Sequence, residues 1–356
     1  MPKKAAALFL ICVSLATWIS CGKTTSHYLY GAVPAGNEIL VYREDPNSGV
    51  LTALSFSPVS AGQGVQSLAL NSSGTFLYAA NSGESNVSLF AINSDGSLTE
   101  QGARTPTGST PTVLAMDKAG ANLYVMNSGG QSISVFSIAS SGGMLTLIGT
   151  FTVGLQPTNM ALSPSNILYV TGQGALGGTV QAFTLDTTTT PPTLNSIGSF
   201  PTGTIPYGIA IPSSGSFLYI SNTQSNSISE FQVQSDGSLT QLSSSPFGEG
   251  YQSPTWMLID KSGKYLYVAN EGSSNLMAYT IGSDGSLTAL SSTIAPIATG
   301  SQPNLIASDP NGEFLFVGNQ SSPVVQSFAL DAGNGALTSV ESYKVTATPT
   351  SIVVVP

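Results

Sequence analysis

Few side chains in this sequence could act as nucleophiles, general bases or metal ligands. Its 356 residues include one histidine, His27, and two cysteines, Cys12 and Cys21. Zinc sites made of cysteine and histidine need three or four such ligands, so they are excluded, and a Ser-His-Asp triad could use only His27. The 9 lysines and arginines against 18 aspartates and glutamates give a formal net charge of -9. Nucleic-acid binders carry a basic surface, so we expect no nucleic-acid partner.

One segment combines an acidic residue with aromatic residues and flexible glycines. It covers residues 246–256, PFGEGYQSPTW, and contains Glu249 and Tyr251. A buried glutamate can act as general base on a water molecule, and an arginine or tyrosine can stabilise an oxyanion. Glu249 as the base, with Arg104 and either Tyr207 or Tyr251 to stabilise the oxyanion, is therefore a candidate catalytic set for hydrolysis. The alternative for this segment is a solvated loop.

A second candidate site is a ring of mostly uncharged polar residues. Each member stands at the start of a recurring short apolar segment, usually after a proline: Gln66, Thr112, Thr158, Tyr207, Thr255, Asn304 and Thr350. Such side chains suit sugar-like or peptide-like ligands. The candidate ligand-binding residues are Tyr207, Tyr251, Trp256, Thr112, Thr158, Thr255 and Asn304. For each of them a solvated loop is again the alternative.

The elements that would position these residues recur seven times, with a period of about fifty residues. Each repeat begins with an aromatic-rich strand, and these strands start at Tyr28, Phe76, Asn122, Ile167, Phe217, Tyr265 and Phe314. The next strand alternates apolar and polar residues, which indicates a half-buried strand. A Gly-x-Leu-Thr segment, often after an Asp-Gly hairpin turn, predicts a third strand. The short apolar segment completes the unit as a fourth strand.

Four strands in each of seven repeats predict an all-β, seven-bladed β-propeller over residues 28–356. The chain starts with an aromatic strand and ends with an apolar one, so we expect residues 352–355 to complete the blade that Tyr28 begins. Two β-sandwiches, the competing interpretation, would not explain equal repeats or the offset ends. The short apolar strands would be innermost, and the ring residues would surround a central pit at one end of the axis.

The recurring aromatic and asparagine residues are then interpreted as packing and turn residues. The Ser-Asp-Gly-Ser turns lack the series of oxygen ligands found in a calcium-binding loop. We therefore predict no metal site, and no feature of the sequence indicates a cofactor.

The N-terminal segment has the pattern of an export signal. Lys3 and Lys4 precede an apolar stretch, residues 5–19, that is too short to span a membrane comfortably. Ser20 and Cys21 follow, which resembles a bacterial lipoprotein signal, although Trp18 stands where that pattern prefers leucine. We predict a signal peptide over residues 1–20, lipidation of Cys21 and a tether over residues 21–27. An ordinary secretory peptide and an uncleaved anchor are the alternatives.

The repeats resemble a known family. The segments LYAANSGESNVSLF, LYVMNSGGQSISVF and LYVANEGSSNLMAY resemble YVTN-type β-propeller repeats. The Asp-Gly-Ser-Leu-Thr segments that follow resemble the seven-bladed lactonase family, which includes 6-phosphogluconolactonases. The resemblance implies the propeller fold and hydrolysis of a sugar lactone, a carboxylic ester.

The family's catalytic residues do not carry over to this sequence. Lactonase members have Pro-His before an inner strand, whereas the residues here are Thr112, Thr158, Tyr207, Thr255, Asn304 and Thr350. Their acidic, arginine-containing turns are matched only by the isolated acids Glu84 and Glu271, and His27 lies before the first predicted strand. Recognition of a phosphorylated lactone favours arginine and lysine, which are scarce in a chain with 8% charged residues.

The sequence leaves two functions open. The first, which we favour, is a monomeric, exported propeller, anchored at the bacterial cell envelope or secreted. It would bind a protein, peptide or glycan at the central pit. The second is a lactone hydrolase with a non-standard site, so whether the protein is an enzyme stays open.

Overall fold

The computed structural model describes residues 26–175, 177–248, 250–292 and 294–355. These residues form seven antiparallel sheets of four or five strands each. The innermost strand of each sheet contacts the innermost strands of its two neighbours, and these contacts close into a ring. The fold is therefore a seven-bladed β-propeller, as the repeats predict.

Strands are numbered in chain order, and the first three blades take residues 27–152 together with the last strand of the chain. The first blade contains β1 (His27–Val33), a 3-10 turn (Pro34–Gly36), β2 (Glu38–Glu44), β3 (Leu51–Ala53) and β4 (Val59–Ser60). The second contains β5 (Val65–Leu70), β6 (Phe76–Asn81), β7 (Asn86–Ile92), β8 (Leu98–Glu100) and β9 (Thr105–Pro106). The third contains β10 (Pro111–Met116), β11 (Asn122–Asn127), β12 (Ser132–Ile138) and β13 (Leu145–Thr152).

The remaining four blades follow the same order. The fourth contains β14 (Gln156–Leu162), β15 (Leu168–Gly174), β16 (Gly177–Asp186) and β17 (Thr193–Pro201). The fifth contains β18 (Pro206–Ala210), β19 (Phe217–Asn222), β20 (Ser227–Val233), β21 (Leu239–Gln241) and β22 (Phe247–Gly248). The sixth contains β23 (Pro254–Ile259), β24 (Tyr265–Asn270), β25 (Asn275–Ile281), β26 (Leu287–Ala289) and β27 (Ile297–Ala298). The seventh contains β28 (Pro303–Ser308), β29 (Phe314–Asn319), β30 (Val324–Leu330) and β31 (Leu337–Lys344), and β32 (Ser351–Val355) returns to the first blade.

The C-terminal strand closes the ring as predicted. β32 pairs with β1, with Tyr28 opposite Val355 and Gly31 opposite Ile352. The first blade begins one residue earlier than the sequence predicts, because His27 pairs with Glu44 and is only 4% exposed. The predicted signal peptide and Cys21 lie outside the described residues. In the described part of the chain, no helix has the length and apolarity needed to cross a membrane.

The outermost strand is continuous in some blades and interrupted in others, and the positions of prolines explain the difference. In blades 3, 4 and 7 the fourth strand is continuous, as β13, β17 and β31. In blades 1, 2, 5 and 6 it splits into a three-residue strand and a two-residue strand. A proline stands at or just before each two-residue piece: Pro58, Pro106, Pro246 and Pro296. Proline cannot donate a backbone hydrogen bond, so it interrupts the ladder at this exposed edge.

Counted outwards from the propeller axis, the second strand of five blades carries a buried tyrosine that connects its blade to the next. The hydroxyl donates to the carbonyl of a glycine in the following hairpin turn at 2.7 to 2.9 Å: Tyr30 to Gly96, Tyr78 to Gly143, Tyr169 to Gly237, Tyr219 to Gly285 and Tyr267 to Gly335. Burial raises the pKa of Tyr78 and of Tyr169 to about 12. Gly285 has φ +84°, and a Cβ there would lie 2.4 Å from the Phe217 ring. The recurrent aromatic and glycine residues are therefore parts of one contact between blades.

Replacing Tyr78 with phenylalanine is expected to lower the free energy of unfolding by about 1–3 kcal/mol, because the buried Gly143 carbonyl loses its hydrogen bond. Urea denaturation measures the change. Tyr28→Phe is the matched control, since the hydroxyl of Tyr28 bonds the Ser94 carbonyl at an exposed position, and we expect a change within about 0.5 kcal/mol. Equal losses in the two variants would contradict this role of the buried hydroxyl.

Candidate functional site

The first residues of the inner strands meet at one end of the propeller axis. Six of the seven ring residues line a single depression of about 270 Å³: Gln66, Thr112, Thr158, Tyr207, Asn304 and Thr350. Trp256 lines it as well. The sequence places these residues together because each follows the turn into an inner strand, and the inner strands form the ring.

A second depression of about 320 Å³ adjoins the first and shares Tyr207 and Asn304 with it. Its other lining residues are Ile205, Thr223, Thr255, Glu271 and Gln320. Thr255, the remaining ring residue, thus faces this neighbouring space. The two depressions together are called the central pit below.

Three of the ring threonines use their hydroxyls within the fold. Thr158 donates to the Pro206 carbonyl at 2.5 Å, and Thr350 donates to the Gln66 carbonyl at 2.7 Å. Thr255 is 6% exposed and bonds the carbonyls of Ala269 and Pro303. The bonds from Thr158, Thr255 and Thr350 reach the adjacent inner strand. These hydroxyls therefore hold the ring together and have less capacity left for a ligand.

Other polar atoms of the central pit lack such contacts. Thr112 Oγ1, Thr223 Oγ1 and Asn304 Oδ1 are buried, and none has a hydrogen-bond partner in the described part of the chain. Buried polar groups in folded proteins are nearly always hydrogen-bonded, and an exception calls for an explanation. These three atoms line the two depressions, where a ligand or water molecules could satisfy them.

An aromatic pair adds apolar surface to the central pit. The rings of Tyr207 and Trp256 lie edge to face, with centroids 6.4 Å apart and an interplanar angle of 62°. Tyr207 is 36% exposed and Ile205 is 40% exposed, which is unusual for large apolar side chains in this fold. The pit therefore combines hydroxyl and amide groups with an exposed aromatic face.

The electrostatic character of the central pit is set by one carboxylate. Among the described lining residues, Glu271 is the only acid, and no lysine, arginine or histidine accompanies it. Burial raises the pKa of the Tyr207 hydroxyl, and the charge of Glu271 raises it further. The tyrosine therefore stays protonated at neutral pH as a hydrogen-bond donor beside a carboxylate.

Arg104 lies away from the central pit. Its guanidinium bonds Glu84 at 2.6 Å and Glu100 at 2.8 Å. The bond to Glu100 raises the pKa of Arg104, and the bonds from Asn86 and Arg104 lower the pKa of Glu84. These ion pairs occupy the arginine within blade 2, so the structure does not place it with Tyr207.

The segment 246–256 contributes only part of what the sequence predicts. Trp256 lines the central pit. Tyr251 is half-buried, packs against the hydrophobic core around blade 6, and does not line either depression. Glu249 lies outside the described residues.

The acid that lines the pit is Glu271, which the sequence marks only as an isolated acid in a turn. It follows Asn270 at the end of β24. The corresponding residue in the other blades is uncharged, namely Pro34, Ser82, Ser128, Gln173, Thr223 and Gln320. This departure from the repeat is the feature of the sequence that could have identified Glu271 as a site residue. Three other lining residues could not be recognised as site residues from their types. Ile205 immediately precedes the inner strand β18, and Thr223 and Gln320 immediately follow β19 and β29.

A family model matches nearly all of the chain outside the N-terminal segment. Its description is Lactonase, 7-bladed beta-propeller, and it matches residues 23–115, 111–202, 176–298 and 292–354. The sequence has no significant match among curated proteins.

Solved structures share the fold at low sequence identity. A candidate 6-phosphogluconolactonase from Bacteroides fragilis has a TM-score of 0.80 and 22% identity, with 95% of this chain and 99% of that chain covered. The periplasmic gluconolactonase of Pseudomonas aeruginosa has a TM-score of 0.78 and 20% identity, with 93% and 99% covered. These similarities agree with the seven repeats, the closed ring and the family match. The chain therefore belongs to the family of lactonases that fold as seven-bladed β-propellers.

Proposed function

We propose that the central pit binds a neutral, sugar-like ligand at the cell envelope. The observation that carries the proposal is that Thr112 Oγ1 and Asn304 Oδ1 have no hydrogen-bond partner among the described residues and lie beside the aromatic pair of Tyr207 and Trp256. Hydroxyl and amide groups hydrogen-bond sugar hydroxyls, and an aromatic ring covers the apolar C–H face of a sugar. A ligand that satisfies the buried atoms recovers the free energy lost by leaving them unpaired.

The dimensions of the pit favour a free sugar or the end of a glycan over a folded protein. Depressions of about 270 and 320 Å³ are at the small end of small-molecule sites. A stable protein interface needs about 800 Å² on each partner. The envelope location rests on the resemblance of residues 1–21 to a lipoprotein signal.

The charge of the pit makes a specific prediction about ligand choice. Because Glu271 is the only acidic residue and no basic residue accompanies it among the described lining residues, we expect neutral sugars or sugar lactones to bind at least about 10-fold more tightly than their phosphate esters. Titration calorimetry with matched pairs, each sugar with and without phosphate, measures the ratio. Glu271→Gln should reduce the ratio by improving binding of the phosphate. Tighter binding of phosphorylated ligands to the unmodified protein would refute the proposal.

A second candidate function is hydrolysis of a neutral sugar lactone. The observation in its favour is that Glu271 and Tyr207 line the same depression and interact electrostatically. Glu271 would remove a proton from water, which adds to the lactone carbonyl, and the Tyr207 hydroxyl would stabilise the oxyanion. The ring C–O bond then breaks and the alkoxide takes up the proton, which yields a hydroxy acid.

Glu271→Gln is expected to lower kcat/KM for an unphosphorylated lactone by at least about 100-fold while the Tm stays within a few degrees. The rate is measured by quantifying the hydroxy acid in samples quenched at successive times. Glu84→Gln is the control, because Glu84 lies in the corresponding turn of blade 2 and pairs with Arg104 outside the pit. Binding of the lactone without turnover would reject the catalytic candidate and leave the binding proposal intact.

A further inference from the structure

One position of the repeat changes chemical type in the first blade. Counted from the axis, the third strand of every blade contains the recurrent aromatic residue of its alternating pattern. The residue two places after that aromatic residue pairs with a leucine of the fourth, outermost strand. In six blades this residue is aliphatic: Ile92, Ile138, Leu185, Val233, Ile281 and Leu330. In the first blade it is Glu44, opposite Leu51 and 0% exposed. A carboxylate at a position that packing fills with isoleucine, leucine or valine needs its own explanation.

Glu44 lies in a buried cluster with His27 and Asp309. His27 Nδ1 is 3.1 Å from Glu44 Oε2, and the two residues are direct cross-strand neighbours. Asp309 comes from the turn after β28 in the seventh blade. One donor atom from each of the three residues lies within 4.8 Å of the other two. His27 is 4% exposed and Asp309 3% exposed.

Asp309 is held in place by its own turn. Its carboxylate accepts backbone N–H groups at 2.6 to 2.9 Å, from Asn311, Glu313 and Phe314. Asp260 makes the same kind of contacts in the sixth blade, with the N–H groups of Ser262, Lys264 and Tyr265. The turn therefore explains why an aspartate stands at position 309, but it does not explain why a histidine and a glutamate face it.

The charge of the cluster favours a cation. Two carboxylates removed from water each lose several kcal/mol of solvation, and a divalent cation bound by both would offset part of that loss. Imidazole nitrogen and carboxylate oxygen are both ligands of Zn²⁺, with bonds of about 2.0–2.2 Å. Two such ligands on a tetrahedral ion are about 3.3 Å apart, close to the separation of His27 Nδ1 and Glu44 Oε2.

We propose that His27, Glu44 and Asp309 form a site for a divalent transition-metal ion, with Zn²⁺ favoured by the donor set. Two ligands come from the first blade and one from the seventh, so the ion would join the blades at the point where the ring closes. The site is separate from the central pit, because β1 begins at the opposite end of the inner strands from Thr350. Its role is structural. The sequence contains neither a cysteine–histidine cluster nor a calcium-binding loop, so it predicts no metal here.

The test uses tag-free protein stripped with a chelator. Zn²⁺ or Co²⁺ should bind with one equivalent per chain by calorimetry and elemental analysis, and should raise the Tm by several degrees. Bound Co²⁺ should also show the visible absorption band that is typical of Co²⁺ ions with fewer than six ligands. Binding should weaken at least about 10-fold at acid pH, because the imidazole must be deprotonated to ligate the metal.

Two variants and one matched control separate a metal site from a structural ion pair. Glu44→Ile installs the residue type of the other blades, so the protein should fold but bind no stoichiometric metal. Asp309→Asn should abolish binding, whereas the matched Asp260→Asn should destabilise its own turn and leave one equivalent bound. Absence of stoichiometric metal in the unmodified protein, or unchanged binding in Glu44→Ile, would overturn the proposal.

Discussion

Replacing Trp256 with alanine is expected to weaken binding of a neutral sugar ligand by about 10- to 100-fold, or roughly 1.4–2.8 kcal/mol. The ring of Trp256 lines the central pit and meets Tyr207 edge to face. Its removal takes away the apolar face on which a sugar ring would rest and leaves Tyr207 without its neighbour. Tyr207→Ala should have a loss of similar size, and Tyr207→Phe a smaller one. Calorimetry gives the affinities, and thermal unfolding confirms that each variant is folded.

Tyr251→Ala is the matched control for these variants. Tyr251 belongs to the same segment as Trp256, is half-buried, and does not line either depression. We expect its affinity to stay within about 2-fold of the unmodified protein. An equal loss of affinity in Tyr251→Ala would mean that the segment acts through stability and that the aromatic pair is not a binding surface.

Truncation after Thr350 is expected to abolish cooperative folding. It removes β32, the innermost strand of the first blade, and with it the ladder to β1 and the contacts to the inner strands β5 and β28. The edge of β1 and the buried side chains of the first and second blades would then be exposed. Folded domains are stable by only about 5–15 kcal/mol, less than the loss of a whole inner strand. Circular dichroism during thermal unfolding should show no cooperative transition.

Val353→Thr keeps the strand and its shape, so it tests whether the strand itself is required. Val353 is half-buried and packs against the core between the first two blades. We expect a cooperative transition with the Tm lowered by about 2–8 °C. A truncated chain that unfolds with the same cooperativity as this variant would show that the ring does not depend on closure by β32.

The fold could be predicted from the sequence because every blade repeats the same local pattern. The aromatic strand, the alternating strand and the Asp-Gly turns each have a period or a φ requirement that a single sequence shows directly. The offset of the first and last strands then fixes the closure of Tyr28 against Val355. The tyrosine hydroxyl bonds to the next blade were not predictable, because they join residues about 66 positions apart, such as Tyr30 and Gly96.

The central pit was predicted in part. Ring residues converge because their position in the repeat fixes their place in space, and Tyr207, Thr112 and Asn304 all line the pit. The position of the Arg104 side chain could not be predicted from the repeat, because it lies in a loop. Its ion pairs with Glu84 and Glu100 of blade 2 determine where it points. His27 also differed from the prediction, because its partner Glu44 could be recognised only once the strand register was known.

Both ends of the described chain lie on the face opposite the central pit. β32 runs from the pit, at Thr350, to Val355 beside Tyr28, a distance of about 17 Å for five extended residues. If Cys21 carries the predicted lipid, the protein would be held on the side of Tyr28 and would present the pit to the solvent, as it would when attached to a sensor chip through that side. A fluorophore attached at either end of the described chain would lie on the face opposite the pit. In this orientation the pit would bind ligands from the surrounding medium and would not contact the surface that holds the protein.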